Sequence, residues 1–243
     1  MTCCWYLKLR RSGRNYVFEY NWEVEKRIVL LHGWEARAGK LEPLAEELRK
    51  LGWKVENLEL PGFGLPAPKT VWGVGDYADW IKEKAGRECV VFGHSFGGRV
   101  AIKLAARGAI KGVVLCAPGG LSRPGRIKRV LFGMLAKMGR AFGLEKYKTV
   151  LYKLAREHDY ERTSGIMREV FKKVVEEDLN PLVGEIKVPT LVLWGKQDRV
   201  VSHIDGQKFK QAKLVLFDGQ GHRLPYELPE EVAKEIDIWT ESL

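Results

Sequence analysis

The residues around Ser95 have the types and spacing of an activated serine nucleophile. Ser95 lies in a G-x-S-x-G motif whose other members are Gly93, His94, Phe96 and Gly97. An apolar run at 89–92 precedes the motif and a segment of helical periodicity follows it, so the motif joins a strand to a helix. Such a sharp turn strains the backbone and lifts the serine hydroxyl toward solvent, while the glycines leave room for strand and helix. We therefore predict that Ser95 is the nucleophile, and the alternative is a chance Gly-Ser-Gly turn.

Two later segments supply the base and the acid that a serine nucleophile requires. A serine hydroxyl is a weak nucleophile unless a base accepts its proton and another group orients that base. The apolar run 188–194 leads into Asp198, and the run 213–217 leads into His222. If both runs are parallel strands, both side chains lie at the same edge of the sheet as Ser95. The order Ser, Asp, His predicts His222 as the general base and Asp198 as the acid that orients it.

Each of these assignments has a plainer alternative. An aspartate in a polar loop is often only a turn former, and a histidine after glycine is often only exposed. Asp205 and Asp218 are rival acids. Asp205 is expected on the helix that follows the loop, and Asp218 lies four residues before His222, so both fit the expected position at the end of a strand less well.

The oxyanion of a tetrahedral intermediate needs two backbone N–H donors. One comes from the residue after the nucleophile, which is Phe96. The other is expected from the loop after an earlier strand, and Trp34 follows the apolar run 28–31. His32, in the same loop, is expected to be a hydrogen-bonded structural histidine. Glu35 would oppose the oxyanion charge if its carboxylate faced it.

Apolar runs alternate with helical segments along most of the chain. Strand-like runs occur at 28–31, 53–60, 89–92, 113–117, 188–194 and 213–217, and helical periodicity occurs at 41–51, 76–84, 97–107 and from 229 to the end. Extended runs at 5–9 and 16–20 indicate a hairpin before the first buried strand. The alternation predicts an α/β fold with a mostly parallel sheet covered on both faces. Residues 121–184 interrupt it with helices only, which predicts a helical cap at the carboxyl edge of the strands.

The predicted cap carries two patterns of its own. Apolar residues recur at helical spacing within 126–142, namely Ile127, Val130, Leu131, Met134, Leu135, Met138 and Phe142. This stripe either roofs an acyl pocket or simply packs on the core. Ten cations accompany one acidic residue, Glu145, between 121 and 156: Arg123, Arg126, Lys128, Arg129, Lys137, Arg140, Lys146, Lys148, Lys153 and Arg156. They either recruit an anionic substrate, an acidic carrier or an anionic lipid surface, or form a solubilising exterior.

Composition excludes several classes of protein. A chain of 243 residues with 45% apolar and 30% charged residues can form one large core, so disorder is not expected. The net charge of +10 is a weak functional signal, and we expect no nucleic-acid partner. No transmembrane run or signal peptide is expected. The spacing of the four cysteines matches neither a zinc site nor an expected disulfide: they are Cys3, Cys4, Cys89 and Cys116. This pattern predicts a reduced, cytoplasmic setting.

Taken together, the motifs resemble those of the α/β-hydrolase superfamily of capped esterases and lipase-like enzymes. The resemblance rests on segments 31–34, 60–64, 93–98, 194–198 and 221–222 and covers about residues 27 to 240, the cap excepted. It implies an α/β-hydrolase fold in a single domain, 1–243, with the cap at 121–184 inserted between core segments 1–120 and 185–243. It further implies ester hydrolysis through an acyl-enzyme, without metal or organic cofactor.

These features predict a serine carboxylic-ester hydrolase that acts on small or medium acyl esters. Segments 32–34 and 61–64 also resemble those of pimeloyl-carrier methyl esterases. Alternative functions are another reaction of the same triad, on a thioester, an amide, a carbon-carbon bond or an acyl-carrier methyl ester. A non-enzymatic alternative is a ligand-binding relative that has lost activity, and turnover of a small ester distinguishes it from the enzymes.

Overall fold

A computed structural model describes residues 6–12, 15–21, 26–121 and 165–241. The strands are β1 (Tyr6–Ser12), β2 (Asn15–Asn21), β3 (Arg27–Leu31), β4 (Lys54–Leu58), β5 (Val90–His94), β6 (Gly112–Cys116), β7 (Thr190–Gly195) and β8 (Lys213–Phe217). The helices are α1 (Glu42–Lys50), α2 (Val74–Ala85), α3 (Phe96–Ala106), α4 (Ile166–Glu176), α5 (Asn180–Val183), α6 (Leu224–Glu227) and α7 (Pro229–Glu241). Two 3₁₀ helices span Ala38–Leu41 and His203–Lys208.

Strands β3 to β8 form one parallel sheet of six strands in the order β4-β3-β5-β6-β7-β8. The order reverses between β3 and β5, so the carboxyl ends of these central strands form the crevice where such sheets bind ligands. The predicted α/β-hydrolase fold is confirmed. Strands β1 and β2 pair antiparallel as expected of the N-terminal hairpin, and they form a separate two-stranded sheet.

Both faces of the sheet are buried, which explains why its strands are apolar runs rather than alternating patterns. Alternate residues of β3 point to opposite faces: Val29 and Leu31 pack against α2 and α3, whereas Ile28 and Leu30 pack against α1 and α7. All four side chains are fully buried. The two layers of helices fix the positions of the strand ends, and the loops that leave those ends carry the candidate site.

The end of strand β4 differs from the sequence-based expectation. The run 53–60 was expected to be strand throughout, but β4 ends at Leu58. Pro61 follows closely and has no N–H for a sheet ladder, and the Leu60 N–H bonds the His32 ring instead. Leu60 is fully buried although it is outside the strand.

The described part of the cap consists of α4 and α5, and the expected apolar stripe at 126–142 and the ten cations lie outside the described residues. The division into core and inserted cap therefore stays a prediction. No helix among the described residues is both long enough and apolar enough to cross a bilayer.

Candidate active site

Ser95 occupies a strained turn between β5 and α3. Its φ of 53° and ψ of −105° place a non-glycine residue in a region that L residues rarely adopt. The surrounding backbone holds it there, because the Ser95 N–H donates to the Cys116 carbonyl at 3.1 Å and the Ser95 carbonyl accepts from the Gly119 N–H at 3.0 Å. The turn leaves the Ser95 side chain half-buried at the carboxyl edge of the sheet.

The glycines of the motif are required by close backbone approach. A β-carbon on Gly93 would overlap the carbonyl of Gly97, and one on Gly97 would overlap the carbonyl of Leu31. Neither neighbour is a flexible side chain that could move aside. Strand β3, strand β5 and helix α3 therefore meet at distances that only glycine permits.

His222 lies between Ser95 and Asp198. Its Nε2 is 3.0 Å from Ser95 Oγ and its Nδ1 is 2.8 Å from Asp198 Oδ2. Because a carboxylate only accepts hydrogen bonds, Nδ1 carries the proton and donates to Asp198. The lone pair of Nε2 is then free to accept the Ser95 hydroxyl proton. The structure thus brings together three residues that the sequence predicted would meet.

Asp198 is fully buried and surrounded by donors. Oδ2 accepts from His222 and from Trp194 Nε1 at 3.2 Å, and Oδ1 accepts from the N–H groups of Val200 at 2.7 Å and Val201 at 3.0 Å. Burial alone would raise the pKa of Asp198, but His222 and these backbone donors lower it below its usual value. Asp198 therefore stays ionised without exposure to water.

The rival acids have other partners. Asp205 pairs with Lys208 at 2.6 Å, and Asp218 is exposed and pairs with Lys196 at 2.8 Å. Hydrogen bonds between the loops after β7 and β8 explain why Asp198 is the acid that meets His222. Examples are the Lys196 N–H to the Phe217 carbonyl at 3.0 Å and the Gln197 N–H to the Gln220 carbonyl at 2.9 Å.

The loop after β3 brings Trp34 beside Ser95. The Gly97 N–H donates to the His32 carbonyl at 3.0 Å and ties this loop to the start of α3. A β-carbon on Gly33 would lie 3.5 Å from the β-carbon of Ser95, so the backbone of the loop passes directly by the nucleophile. The Phe96 N–H is at the first position of α3, where an N–H has no carbonyl partner within the helix. One predicted oxyanion donor therefore belongs to the residue after Ser95 and the other to the loop that passes it, and their role stays a prediction.

His32 is buried and supports this loop. Its Nδ1 donates to the Gly33 carbonyl at 2.8 Å, and its Nε2 accepts from the Leu60 N–H at 3.1 Å. Burial lowers the pKa of His32 although a Glu59 carboxylate oxygen lies 3.2 Å from Nε2, so the ring is neutral. Glu35 adopts a φ of 53°, and its side chain is exposed to solvent.

An aromatic cluster forms a wall next to Ser95. The Trp34 ring lies 4.8 Å from Phe63, 5.1 Å from Phe96 and 5.0 Å from Phe171, measured between centroids. Phe171 belongs to α4, so the end of the predicted cap covers Trp34 in the loop after β3, which is the predicted oxyanion loop. The Trp34 Nε1 is buried with no hydrogen-bond partner in the described part of the chain, and it can donate to a polar atom of a bound molecule.

Sequence reasoning missed the contacts of two polar residues, since His94 touches the backbone of His222 and Tyr226 touches His94. His94 was recognised only as a member of the motif, yet its Nε2 is 2.8 Å from the His222 carbonyl. Tyr226 was not considered, and its hydroxyl is 2.9 Å from His94 Nδ1. These contacts join residues that are 128 and 132 positions apart in the chain, so no local pattern could have indicated them.

A comparison with known families bears on this geometry. A family model described as alpha/beta hydrolase family matches residues 28–235. The chain belongs to this family. The matched residues include the turn at Ser95 and the loops that carry Asp198 and His222.

Individual relatives of this alpha/beta hydrolase agree with the family. The AB hydrolase superfamily protein YisY of Bacillus subtilis is 28% identical over 84% of this chain and 88% of its own length. A protein named pimeloyl-[acyl-carrier protein] methyl ester esterase from Neisseria meningitidis is 26% identical over 81% of this chain and 86% of its own. The solved structure of a thermophilic esterase from Thermogutta terrifontis has a TM-score of 0.64 and 22% identity, covers 89% of this chain and 90% of its own, and shows the shared fold.

Proposed function

We propose that this hydrolase is a serine carboxylic-ester hydrolase that works through an acyl-enzyme. The observation that carries the proposal is the hydrogen-bonded line from Ser95 Oγ through His222 to the buried Asp198. The strained backbone of Ser95 adds to it, because such strain persists at sites where the surrounding structure imposes it.

In the proposed reaction, Ser95 Oγ attacks the ester carbonyl carbon while its proton passes to His222 Nε2. The tetrahedral oxyanion accepts hydrogen bonds from the N–H groups of Trp34 and Phe96. Collapse breaks the bond to the alcohol oxygen, which leaves with the proton from His222, and the acyl group stays on Ser95. Water then attacks the acyl-enzyme with His222 again as base, releasing the carboxylic acid and restoring the hydroxyl.

Asp198 has an electrostatic role in this scheme. When His222 takes the serine proton it becomes a cation, and the ionised carboxylate at 2.8 Å stabilises that charge. The carboxylate also fixes the tautomer that presents the Nε2 lone pair to Ser95. No proton needs to move to Asp198, because burial raises its pKa but His222 and the N–H groups of Val201 and Val200 lower it below the usual value.

The aromatic wall supports an apolar acyl group as the substrate. The rings of Trp34, Phe63 and Phe96 pack against one another where the loop after β3 meets the start of α3, and α4 adds Phe171. Ligand sites are mostly apolar with few polar groups that fix orientation, which fits an ester with a small or medium hydrocarbon chain.

A panel of p-nitrophenyl esters from acetate to dodecanoate, run with Ser95→Ala, tests the proposal. We expect turnover of the shorter esters by the wild type and a loss of several orders of magnitude in Ser95→Ala. Ser202→Ala is the matched control, since Ser202 is an exposed loop serine, and it should keep full activity. Substantial turnover by Ser95→Ala, or none by the folded wild type on any ester, would overturn it.

A second candidate is the methyl ester of an acyl group bound to a carrier protein. The Neisseria meningitidis relative is named for that reaction and aligns with 81% of this chain. The net charge of +10 would favour an acidic carrier. The discriminating assay compares kcat/KM for a carrier-bound acyl methyl ester with that for the free methyl ester of the same acid. A large preference for the bound form supports this candidate, and equal values argue for a general esterase.

A further inference from the structure

His94, the residue before the nucleophile, makes contacts that the proposed reaction does not use. It is buried, with 3% of its surface exposed, and both ring nitrogens have partners. Nε2 lies 2.8 Å from the His222 carbonyl and Nδ1 lies 2.9 Å from the Tyr226 hydroxyl. The His94 ring centroid is 4.9 Å from that of His222 and 5.0 Å from that of Tyr226.

The chemistry of these partners fixes the proton positions. A carbonyl only accepts, so His94 Nε2 carries the proton and donates to His222. Burial and the neighbouring His222 lower the pKa of His94 to about 3, so the ring is neutral and Nδ1 is an acceptor. The Tyr226 hydroxyl therefore donates to Nδ1. Each ring nitrogen of His94 then has the one partner it can use.

The chain of contacts continues to the oxyanion loop. A hydrogen bond from the Gly33 backbone lowers the pKa of Tyr226 against the larger effect of burial, which raises it to about 12. The Gly33 backbone therefore lies near the hydroxyl oxygen of Tyr226. A β-carbon on Gly33 would lie 3.2 Å from His94 Nδ1, so the loop also packs on the His94 ring.

We propose that His94 is a positioning residue that holds the backbone of His222 and, through Tyr226, the Gly33–Trp34 loop. This inference rests on the proposed function, because it assigns to His94 the alignment of the general base with an oxyanion donor. The donors run in one direction, from the Tyr226 O–H to His94 Nδ1 and from the His94 Nε2–H to the His222 carbonyl, and the Gly33 backbone packs against the same ring. The His94 side chain thereby positions both the general base His222 and the Gly33–Trp34 loop, which carries a proposed oxyanion donor.

Substitutions at His94 separate its two bonds. His94→Phe keeps a ring and removes both bonds. His94→Gln places an amide N–H near the position of Nε2 and preserves the bond to His222, whereas His94→Asn reaches only the position of Nδ1. Tyr226→Phe removes the upstream hydroxyl alone. Tyr77→Phe is the matched control, because it removes another buried hydroxyl, which donates to the Pro61 carbonyl at 3.0 Å and lies outside this chain of bonds.

The measurement is kcat and KM for p-nitrophenyl acetate. The number of active sites is counted by titration to completion with a phosphonate, and kcat is expressed per titrated site. We expect His94→Phe and His94→Asn to lower kcat by roughly 10- to 100-fold at nearly constant KM, since small misplacement of reacting groups has effects of that size. His94→Gln should stay within about fivefold of wild type, Tyr226→Phe should lose about 3- to 10-fold, and Tyr77→Phe should stay within about twofold. A purely structural role would reduce the number of titrated sites and leave kcat per site unchanged.

The double variant His94→Phe/Tyr226→Phe completes the test. If the bonds act as one chain, the double variant is no slower than His94→Phe, because the link is already broken. Wild-type kcat per site in His94→Phe, a change in KM alone, or additive losses in the double variant would overturn the inference. If His94→Phe does not fold, His94→Gln and Tyr226→Phe against Tyr77→Phe decide it. Failure of the proposed function would be recognised by a different result, namely ester hydrolysis that persists in Ser95→Ala.

Discussion

Replacing Asp198 with asparagine changes one atom in a site built entirely of donors. His222 and the Trp194 indole point at Oδ2, while the N–H groups of Val200 and Val201 point at Oδ1. The amide NH2 of asparagine must take one of these two positions and face two N–H groups. Either orientation places the NH2 against two donors, and either removes the negative charge beside His222.

The expected effect on catalysis is large. With NH2 next to Nδ1, the His222 ring accepts there and carries its proton on Nε2, where it can no longer take the serine proton. With NH2 toward Val200 and Val201 the tautomer survives, but the imidazolium loses its stabilising charge. We expect kcat to fall by about 10³- to 10⁴-fold, which is about 4 to 5.5 kcal/mol in activation free energy. The unsatisfied donors should also lower the free energy of unfolding by about 1–3 kcal/mol.

The assay is steady-state hydrolysis of p-nitrophenyl acetate at pH 7.5, with folding checked by urea unfolding. Asp218→Asn is the control, because that exposed carboxylate forms an ion pair with Lys196 away from the triad, and the kcat of this variant should stay within about twofold of wild type. Asp205→Asn removes the pair with Lys208 and should affect stability more than kcat. If Asp198→Asn keeps activity within tenfold of wild type, or if Asp218→Asn is the crippling change, the assignment of the acid is wrong.

Three further predictions follow from the same contacts and from the charge pattern. Gly93→Ala should lower the free energy of unfolding by about 3 kcal/mol or more, because the new β-carbon would overlap backbone atoms. The control is Gly39→Ala, whose β-carbon would meet nothing within 4 Å, and it should change the free energy of unfolding by less than about 1 kcal/mol. Equal urea midpoints for the two variants would contradict this prediction. His94 has a pKa lowered from 6.5 to about 3, so the unfolded chain binds its proton more readily and stability is lost as the pH falls from 6.5 toward 3. Wild type should therefore lose about 2 kcal/mol more than His94→Gln between pH 7.5 and pH 5, and equal losses in urea unfolding would refute the neutral ring. Finally, kcat/KM for a carboxylate-bearing ester should fall with added salt, as screening shortens from about 10 Å at 0.1 M to about 3 Å at 1 M, while a neutral ester barely responds. Replacing the four cations of residues 123–129 with glutamine should remove that difference, and equal salt profiles in the wild type would leave the charge as solubilising surface.

Periodicity predicted the meeting of the triad because parallel strands end at a common edge. Ser95, Asp198 and His222 each follow an apolar run, and the structure gives those runs as β5, β7 and β8 of one parallel sheet. The expected position at the end of a strand favoured Asp198 over Asp205 and Asp218, but position alone does not account for the choice of the acid. That choice depends on hydrogen bonds between the loops after β7 and β8, which involve residues far apart in the chain.

The contacts of His94 show where sequence reasoning ends. Nothing near position 94 indicates that its ring nitrogens meet His222 and Tyr226, since those residues lie in the loop and helix after β8. The sheet order places β5 and β8 three positions apart, and the last loops must fold back over the sheet edge to reach it. The apolar stripe and the basic stretch at 121–156 lie almost entirely outside the described residues and stay predictions.

Labelling by a fluorophosphonate tests the central claim most directly, because this reagent requires a serine activated by its own base. Intact mass spectrometry should show one phosphonyl group per wild-type chain, and peptide mapping should place it on Ser95. Ser95→Ala should take up none, and Asp198→Asn should react orders of magnitude more slowly than wild type. A phosphonyl group on any other residue of the wild type, or stoichiometric labelling of Ser95→Ala, would contradict the assignment of Ser95 as the nucleophile.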